Sequence, residues 1–335
     1  MNELLTIAIP TFNRRDRLSM LLESIAVQQE EVSGRVAVIV IDNASTDGTE
    51  GCCREYLERI RGMRYIRNPE NIGAVRNVIK CFETSETEYC WIIGDDDLLR
   101  TGSLSLLVAL LEIESPDLVH LSSLGFENEP LQENMRFEGG IEPLHLSGLD
   151  FCRLVNVYTT FISGMIVNRT RYLSGKTMAD LPIVTETLFP QLNWVLRNIA
   201  LGGKLIYIPQ PLIQARAGAS GGYNLYHSFS VDLVRMIDRS LPGPLGETMK
   251  NRIVLAYLPG LVMSVRADSI GHFSIKPEES RYFRESYAGY PLYWLFVEPI
   301  LHLPLSLARL VYKVSGRIAG MMRNADLSRA RARGE

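Results

Sequence analysis

Four times within its first 120 residues the chain sets a short run of apolar, often β-branched residues against a stretch with helical spacing. Leu4–Ile9 ends at Pro10, and Val36–Ile41, Met63–Arg67 and Tyr89–Ile93 follow. Uninterrupted apolar runs of this length mark strands covered on both faces, unlike the alternation of a half-exposed sheet. Between the first two runs Leu18, Leu21, Leu22 and Ile25 form one helical face, with Asn13 placed to cap it. Asp47 and Glu50 make a capping pattern for a helix to about Ile60, and a third helix is expected over Gly73–Phe82. A Leu-rich helix at Thr101–Leu111 and a strand at Leu118–Leu121 complete the series. The predicted fold class is α/β, a mostly parallel, doubly wound sheet flanked by helices. In such sheets ligands gather outside the carboxyl ends of the strands.

The later chain departs from this pattern. Gly125–Ser147 is polar and irregular, Phe161–Val167 reads as a strand and Glu186–Ala200 as a helix. Lys204–Ile208 and Leu212–Ala215 read as two short strands separated by Pro209 and Pro211. Helices alone are expected after Gly222, near His227–Arg239, Leu245–Val265 and Pro277–Tyr287. The expected domains are therefore 1–222 and a helical C-terminal region, 223–335. Residues 291–312 are rich in Leu, Tyr, Trp and Phe but are interrupted by Glu298, Pro299, His302, Pro304 and Arg309, which makes a poor spanning helix. A basic tail follows, with Lys313, Arg317, Arg323, Arg329, Arg331 and Arg333 against Asp326 and Glu335. The segment suits either the interface of an anionic membrane or a core helix with a solvated tail.

Composition excludes several classes. With 46% hydrophobic and 22% charged residues the chain is neither disordered nor a polytopic transporter. A net charge of −3 gives no electrostatic footprint for nucleic acid, so no nucleic-acid partner is expected. The five cysteines, an odd number without a Cys-x-x-Cys pair, indicate neither a disulfide framework nor a zinc ribbon. The apolar run at Leu4–Ile9 is too short for the core of a signal peptide, and Arg14, Arg15 and Arg17 lie on the wrong side of it. The expected compartment is cytoplasmic.

The chemistry concentrates in Asp95-Asp96-Asp97, directly after a buried strand. Adjacent carboxylates repel one another, so stability alone does not select them. Continuing the strand's period of two, Asp95 and Asp97 would share a side of the sheet and hold a hard divalent cation, Mg2+ or Mn2+, through oxygen. A solvated acidic turn before the helix at Thr101 is the other reading. Asp42, ending the second strand, suits a nucleobase or ribose contact, or an ordinary Asx turn. Arg76 and Lys80 share a helical face that could meet a diphosphate or simply water. The Asn43–Gly48 stretch resembles the first half of a calcium loop, but Arg54 stands where the bidentate glutamate is required.

Four ordered stretches carry a resemblance: Ile9-Pro10-Thr11-Phe12-Asn13-Arg14, Val40 through Thr49, Asn71-Ile72-Gly73 with Arg76-Asn77, and Gly94-Asp95-Asp96-Asp97. Together they resemble the family 2 glycosyltransferases of GT-A fold, and within them bacterial enzymes of O-antigen and capsular polysaccharide synthesis. The resemblance implies that Pro10, Thr11, Phe12, Asn13, Asp42 and Arg76 contact the nucleotide of a sugar donor. It also implies that Asp95 or Asp96 touches the ribose and that Asp97, with Asp95, coordinates the metal. Residues 1–120 become the nucleotide-binding half and 121–222 the acceptor half. The family's catalytic base opens a later helix, which makes Glu186 the candidate, with Asp180 behind it; Arg216 and Gly218–Gly222 resemble the family's active-site loop. The implied reaction is inverting transfer from a nucleoside diphosphate sugar to a saccharide acceptor, lipid-linked if 291–312 lies at the inner face of the cytoplasmic membrane. The alternatives are a sugar nucleotidyltransferase and a non-catalytic, membrane-attached glycan-binding scaffold.

Overall fold

The computed structural model describes residues 3–32, 34–132, 135–217, 224–241, 243–267 and 277–334. They fall into two compact units: residues 1–144, 159–185 and 190–217, and residues 145–158, 186–189 and 218–335.

The first unit opens with the expected alternation: β1 (Leu5–Thr11), α1 (Arg15–Ala26), β2 (Val36–Asp42), α2 (Thr49–Arg59), β3 (Arg64–Arg67), α3 (Ala74–Thr84) and β4 (Tyr89–Ile92). A two-residue strand β5 (Leu98–Leu99), helix α4 (Ser103–Glu114) and β6 (Leu118–Phe126) follow, then β7 (Leu144–Leu146), β8 (Met165–Asn168) and β9 (Leu205–Arg216). The sheet runs β3-β2-β1-β4-β8-β6-β9-β5, with β7 off this path. β3, β2, β1 and β4 are mutually parallel, whereas β8 runs antiparallel to both β4 and β6. The chain winds outward from β1 to β3 and then returns to β4 on the other side of β1. This reversal opens a crevice above the carboxyl ends of β1 and β4. Ile7, Ile9, Val38, Val40 and Trp91 are fully buried beneath it among Leu18, Leu21 and Leu22 of α1. Each such side chain contributes about 1.5–3 kcal/mol by leaving water.

Four local expectations are corrected. Asn13 does not cap α1: it adopts φ 52°, and Asp47, from the loop after β2, accepts the Arg15 N–H at 2.9 Å instead. Because Asp47 is engaged there and with Thr49, the expected capping box of α2 does not form, and Glu50 pairs with Arg54. The two strands expected around Pro209 and Pro211 are one strand, β9, whose register against β6 shifts at Leu121/Ser122 and Ser122/Ser123. These irregularities accommodate the prolines, which have no N–H to give a ladder. The helix expected from Glu186 begins only at Leu192, because Pro190 disfavours helical backbone at the residue before it.

The second unit is predominantly helical, with its main helices at Gly148–Leu154, Leu233–Ser240, Pro244–Ala256, Leu258–Arg266, Arg281–Tyr287, Glu298–His302 and Leu305–Gly334. The last continues for 30 residues after Leu303-Pro304. The expected solvated tail is thus the far half of a helix whose Ala308, Ser315, Asp326 and Ala330 are buried. Among the described residues no helix is long and apolar enough to cross a membrane.

Candidate active site

The last residues of β1 and the turn after β4 meet at the crevice. Thr11, 2% exposed, donates its hydroxyl to Asp95 Oδ2 at 2.8 Å. Asp95 to Asp97 do not continue the strand: the Asp97 N–H closes a turn on the Gly94 carbonyl at 3.1 Å. The turn is pinned from behind, since the Gly94 N–H donates to Ser163 Oγ at 2.9 Å. Arg14 Nη1 lies 2.9 Å from Asp95 Oδ1 and 3.2 Å from Asp96 Oδ2, and Arg17 reaches Asp96 at 3.4 Å. Asp97 Oδ1 accepts the backbone N–H of Arg216 at 2.9 Å. Burial is the main cause that pushes the Asp97 carboxyl up to about 7, aided by the charges of Asp96 and Asp95 and opposed by the Ser163 hydroxyl. Burial also raises Asp95, although Arg14 and Thr11 oppose the shift. The expected strand alternation of Asp95 and Asp97 is therefore replaced by a tight turn that crowds three carboxylates.

Beside this turn lies a cavity of about 450 Å³ lined by Pro10, Thr11, Phe12, Arg14, Asn43, Asn77 and Asp95, among others. Its size falls in the range of small-molecule sites. Phe12 is 42% exposed and offers an aromatic face. The opposite wall is built from amides. Asn68 Nδ2 donates to Asn43 Oδ1 at 3.0 Å and to Asn77 Oδ1 at 2.9 Å, and Asn43 Nδ2 donates to Asn71 Oδ1 at 2.7 Å. Asn77 Nδ2 is anchored on the Ile41 carbonyl at 3.0 Å, and Lys80 Nζ donates to Asn68 Oδ1 at 2.6 Å. Gly73, at φ 85°, supplies the left-handed turn that feeds α3 into this wall.

The structure gathers Pro10, Thr11, Phe12 and Asp95 at the cavity, with Asp96 and Asp97 in the same turn. Other sequence candidates are placed differently. Asp42 is fully buried, its carboxylate accepting from the Ser45 N–H at 2.9 Å and the Tyr65 hydroxyl at 2.6 Å. Asn13 braces the loop after β2, accepting the Thr46 N–H at 2.8 Å. Arg76 is exposed on α3, outside the cavity lining, and Lys80 belongs to the amide wall. Glu186 is exposed and belongs to the second unit, as the acid cluster belongs to the first. Asp180 is in the first unit, closing a capping box with Thr177. The Arg216 guanidinium donates to the carbonyls of Glu127 and Asn128 and stacks on Phe126, whereas Gly218–Gly222 lie outside the described residues. Sequence reasoning missed Arg14, Asn43 and Asn77 as residues of the cavity lining. Arg14 was legible only as part of a motif, and the amides pair across loops.

Residues 6–172 match the model of glycosyl transferase family 2. The abequosyltransferase RfbV of Salmonella typhimurium strain LT2 is 36% identical over 113 residues, 33% of this chain and 34% of RfbV. The glycosyltransferase GlyG of Streptococcus pneumoniae serotype 4 is 21% identical over 152 residues, 45% of this chain and 46% of GlyG. The matches thus span about a third to a half of these relatives' own length. Staphylococcus aureus TarS 1–349 in complex with UDP superposes with a TM-score of 0.60 at 16% identity, covering 94% of this chain and 90% of that one. The mannosyltransferase PcManGT of Pyrobaculum calidifontis, in complex with GDP-Man and Mn2+, gives a TM-score of 0.53 at 15% identity, covering 97% and 88%. At those identities the structures share the fold, which is the GT-A arrangement anticipated from the motifs. Over residues 6–172, which include the four motif stretches, the chain thus carries a glycosyl transferase family 2 domain.

Proposed function

We propose that the chain transfers a sugar from a nucleoside diphosphate sugar to an acceptor hydroxyl with inversion at the anomeric carbon. The observation that carries this reading is the three-carboxylate turn bordering a cavity with an exposed aromatic at its rim and an amide wall. Phe12 stacks on the base, while the exposed amide of Asn71 offers a polar contact to the nucleoside. The donor set fits a hard divalent cation: two carboxylates suffice when substrate phosphates complete the shell, and the crowded Asp97 gains from a positive neighbour. Asp97 and Asp95 would hold the ion, Mg2+ or Mn2+, which when bound neutralises charge developing on the departing diphosphate. Arg14 adds positive charge at the same edge. A base takes the proton as the acceptor oxygen attacks the anomeric carbon and the bond to the diphosphate breaks, and Glu186 is the sequence's candidate for that role.

Calorimetric titration with UDP, GDP, CDP and dTDP, each with Mn2+ and with chelator, tests this reading. One nucleotide is expected to bind with metal and weaken sharply with chelator. A folded protein that binds none of the four overturns the proposal. Glu186→Gln is expected to keep nucleotide binding and lose about 10²–10⁴-fold in transfer rate; unchanged transfer removes Glu186 as the base.

The acceptor we propose is a lipid-linked saccharide at the inner face of the cytoplasmic membrane. In the second unit Leu307, Leu310, Val314 and Met321 recur at helical spacing and are each more than 40% exposed. Arg309 and Lys313 run alongside, Arg317 sits within the stripe, and Asp326, the one acidic residue of this helix, is buried. An apolar stripe edged by cations suits an anionic leaflet. Flotation with anionic vesicles is expected to carry the wild-type chain and to leave Leu307→Asp/Leu310→Asp at the bottom; equal flotation of both removes the stripe as the anchor.

A further inference from the structure

The second unit contains a separate cavity of about 180 Å³. It lies where the helices Gly148–Leu154, Pro244–Ala256 and Leu305–Gly334 pack on one another. Arg153, Arg252 and Arg323 line it, together with Tyr158, Tyr257 and Gly320. The acids of this cluster are already shared. Asp326, also in the lining, holds Arg252 at 2.7 Å and Arg329 at 3.0 Å. Asp150 holds Arg153 at 2.9 Å and also pairs with Arg333. Arg323 Nη1 donates to the Leu154 carbonyl at 3.1 Å. Three arginines therefore line the cavity with one carboxylate, and the Arg252 side chain is 14% exposed, while Arg329 and Arg333 stand about half exposed outside the lining. Burial lowers the proton affinity of Arg252, and the charges of Arg153 and Arg329 add to the effect against that of Asp326.

An excess of guanidinium groups around a cavity is costly unless an anion shares it. Guanidinium forks match the tetrahedral oxygens of a phosphoryl group through charge-assisted hydrogen bonds. The volume takes one such group and the edge of what it is attached to, and Tyr158, 53% exposed, supplies a polar aromatic surface beside it. We propose that this cavity binds a phosphoryl group, carried either by a small phosphate ester or by a lipid head group. The site uses none of the residues assigned to the nucleotide, so it stands independently of the transferase reading.

The test uses the full chain and two variants. Arg323→Gln removes one cation. Gly320→Leu keeps every arginine and fills space, since a Cβ at Gly320 meets nothing within 4 Å and the position is helical. Titration with inorganic phosphate at constant ionic strength is expected to show saturable binding that weakens roughly tenfold or more in both variants. Nucleotide binding should stay unchanged in both variants as the control for folding. Flotation with phosphatidylcholine vesicles, with and without phosphatidic acid, separates the two sources. Binding of phosphate assigns the site to a soluble ester. Phosphatidic-acid-dependent flotation that Gly320→Leu abolishes assigns it to a lipid head group. Phosphate affinity identical in all three proteins, or neither phosphate binding nor variant-sensitive flotation, overturns the proposal.

Discussion

Asp97→Asn is expected to abolish metal-supported nucleotide binding and to lower transfer by at least about 10³-fold, while leaving the protein as stable as before or more stable. Both halves follow from one environment. The Asp97 carboxyl is 4% exposed, and its surroundings push it up to about 7, so its charged form is disfavoured without a cation. Asparagine keeps an oxygen to accept the Arg216 N–H and removes the charge. The pH dependence has a fixed sign. Between about 4, where the unfolded carboxyl titrates, and about 7, the folded protein holds a proton that the unfolded chain has released. Stability from this group is therefore greatest below that window and is lost as pH rises through it, by an amount on the order of a few kcal/mol. The asparagine variant should lack this slope. Conversely, nucleotide binding with Mn2+ should weaken in the wild type as pH falls below 7, because the proton competes for the same oxygens. Denaturant melts and titrations at pH 5.5 and 8 measure both. A variant that retains metal-dependent binding, or that unfolds more readily at pH 8, contradicts the assignment.

The buried half of the site was legible in the sequence for a physical reason. Parallel strands covered on both faces must be apolar throughout, so β1, β2 and β4 stand out as runs, and their carboxyl ends locate Thr11, Asp42 and the acid turn. What the runs do not encode is how the loops beyond them fold. Asn13 precedes an amphipathic stretch and looks like a cap, yet its positive φ makes it a brace for the next loop. Arg14 follows it and lies against Asp95 and Asp96, residues more than 80 positions away. Asn43, Asn68, Asn71 and Asn77 each look like turn residues, and only the closed network of amides reveals them as a wall. Asp42 admits two readings, a ligand contact and an Asx turn, and the turn is what its hydrogen bonds form. Its place at a strand end invites a ligand, but Tyr65 and the Ser45 N–H reach it first. In the C-terminal region, arginines that read as a solvated tail gain partners only when Asp150 and Asp326 are brought to them by packing.

Arg14→Met is expected to have the opposite effect on stability from Asp97→Asn, although both alter the charge of one turn. Asp95 has a side chain 5% exposed, and Arg14 is its nearest cation. Removing the guanidinium leaves a buried carboxylate facing two others, which costs more than the ion pair itself contributes. Arg14 is one-third exposed, so water screens part of the interaction, and the expected loss at pH 8 is about 1–3 kcal/mol. The loss should shrink as pH falls and Asp95, already raised by burial, takes up a proton. Asp95→Asn separates the pair from its surroundings: with the carboxylate gone, Arg14→Met should cost little further. Urea melts of the two single variants and the double variant at pH 8 then give a coupling of about 1–3 kcal/mol. Strictly additive losses would show that Arg14 stabilises the loop by packing alone. A strong coupling identifies it as the counter-charge that keeps three carboxylates together before a cation and a diphosphate arrive. The turn then needs no bound ligand to hold its shape, because the chain supplies Arg14, with Arg17 at Asp96, and leaves the rest of the deficit for the substrate complex to fill.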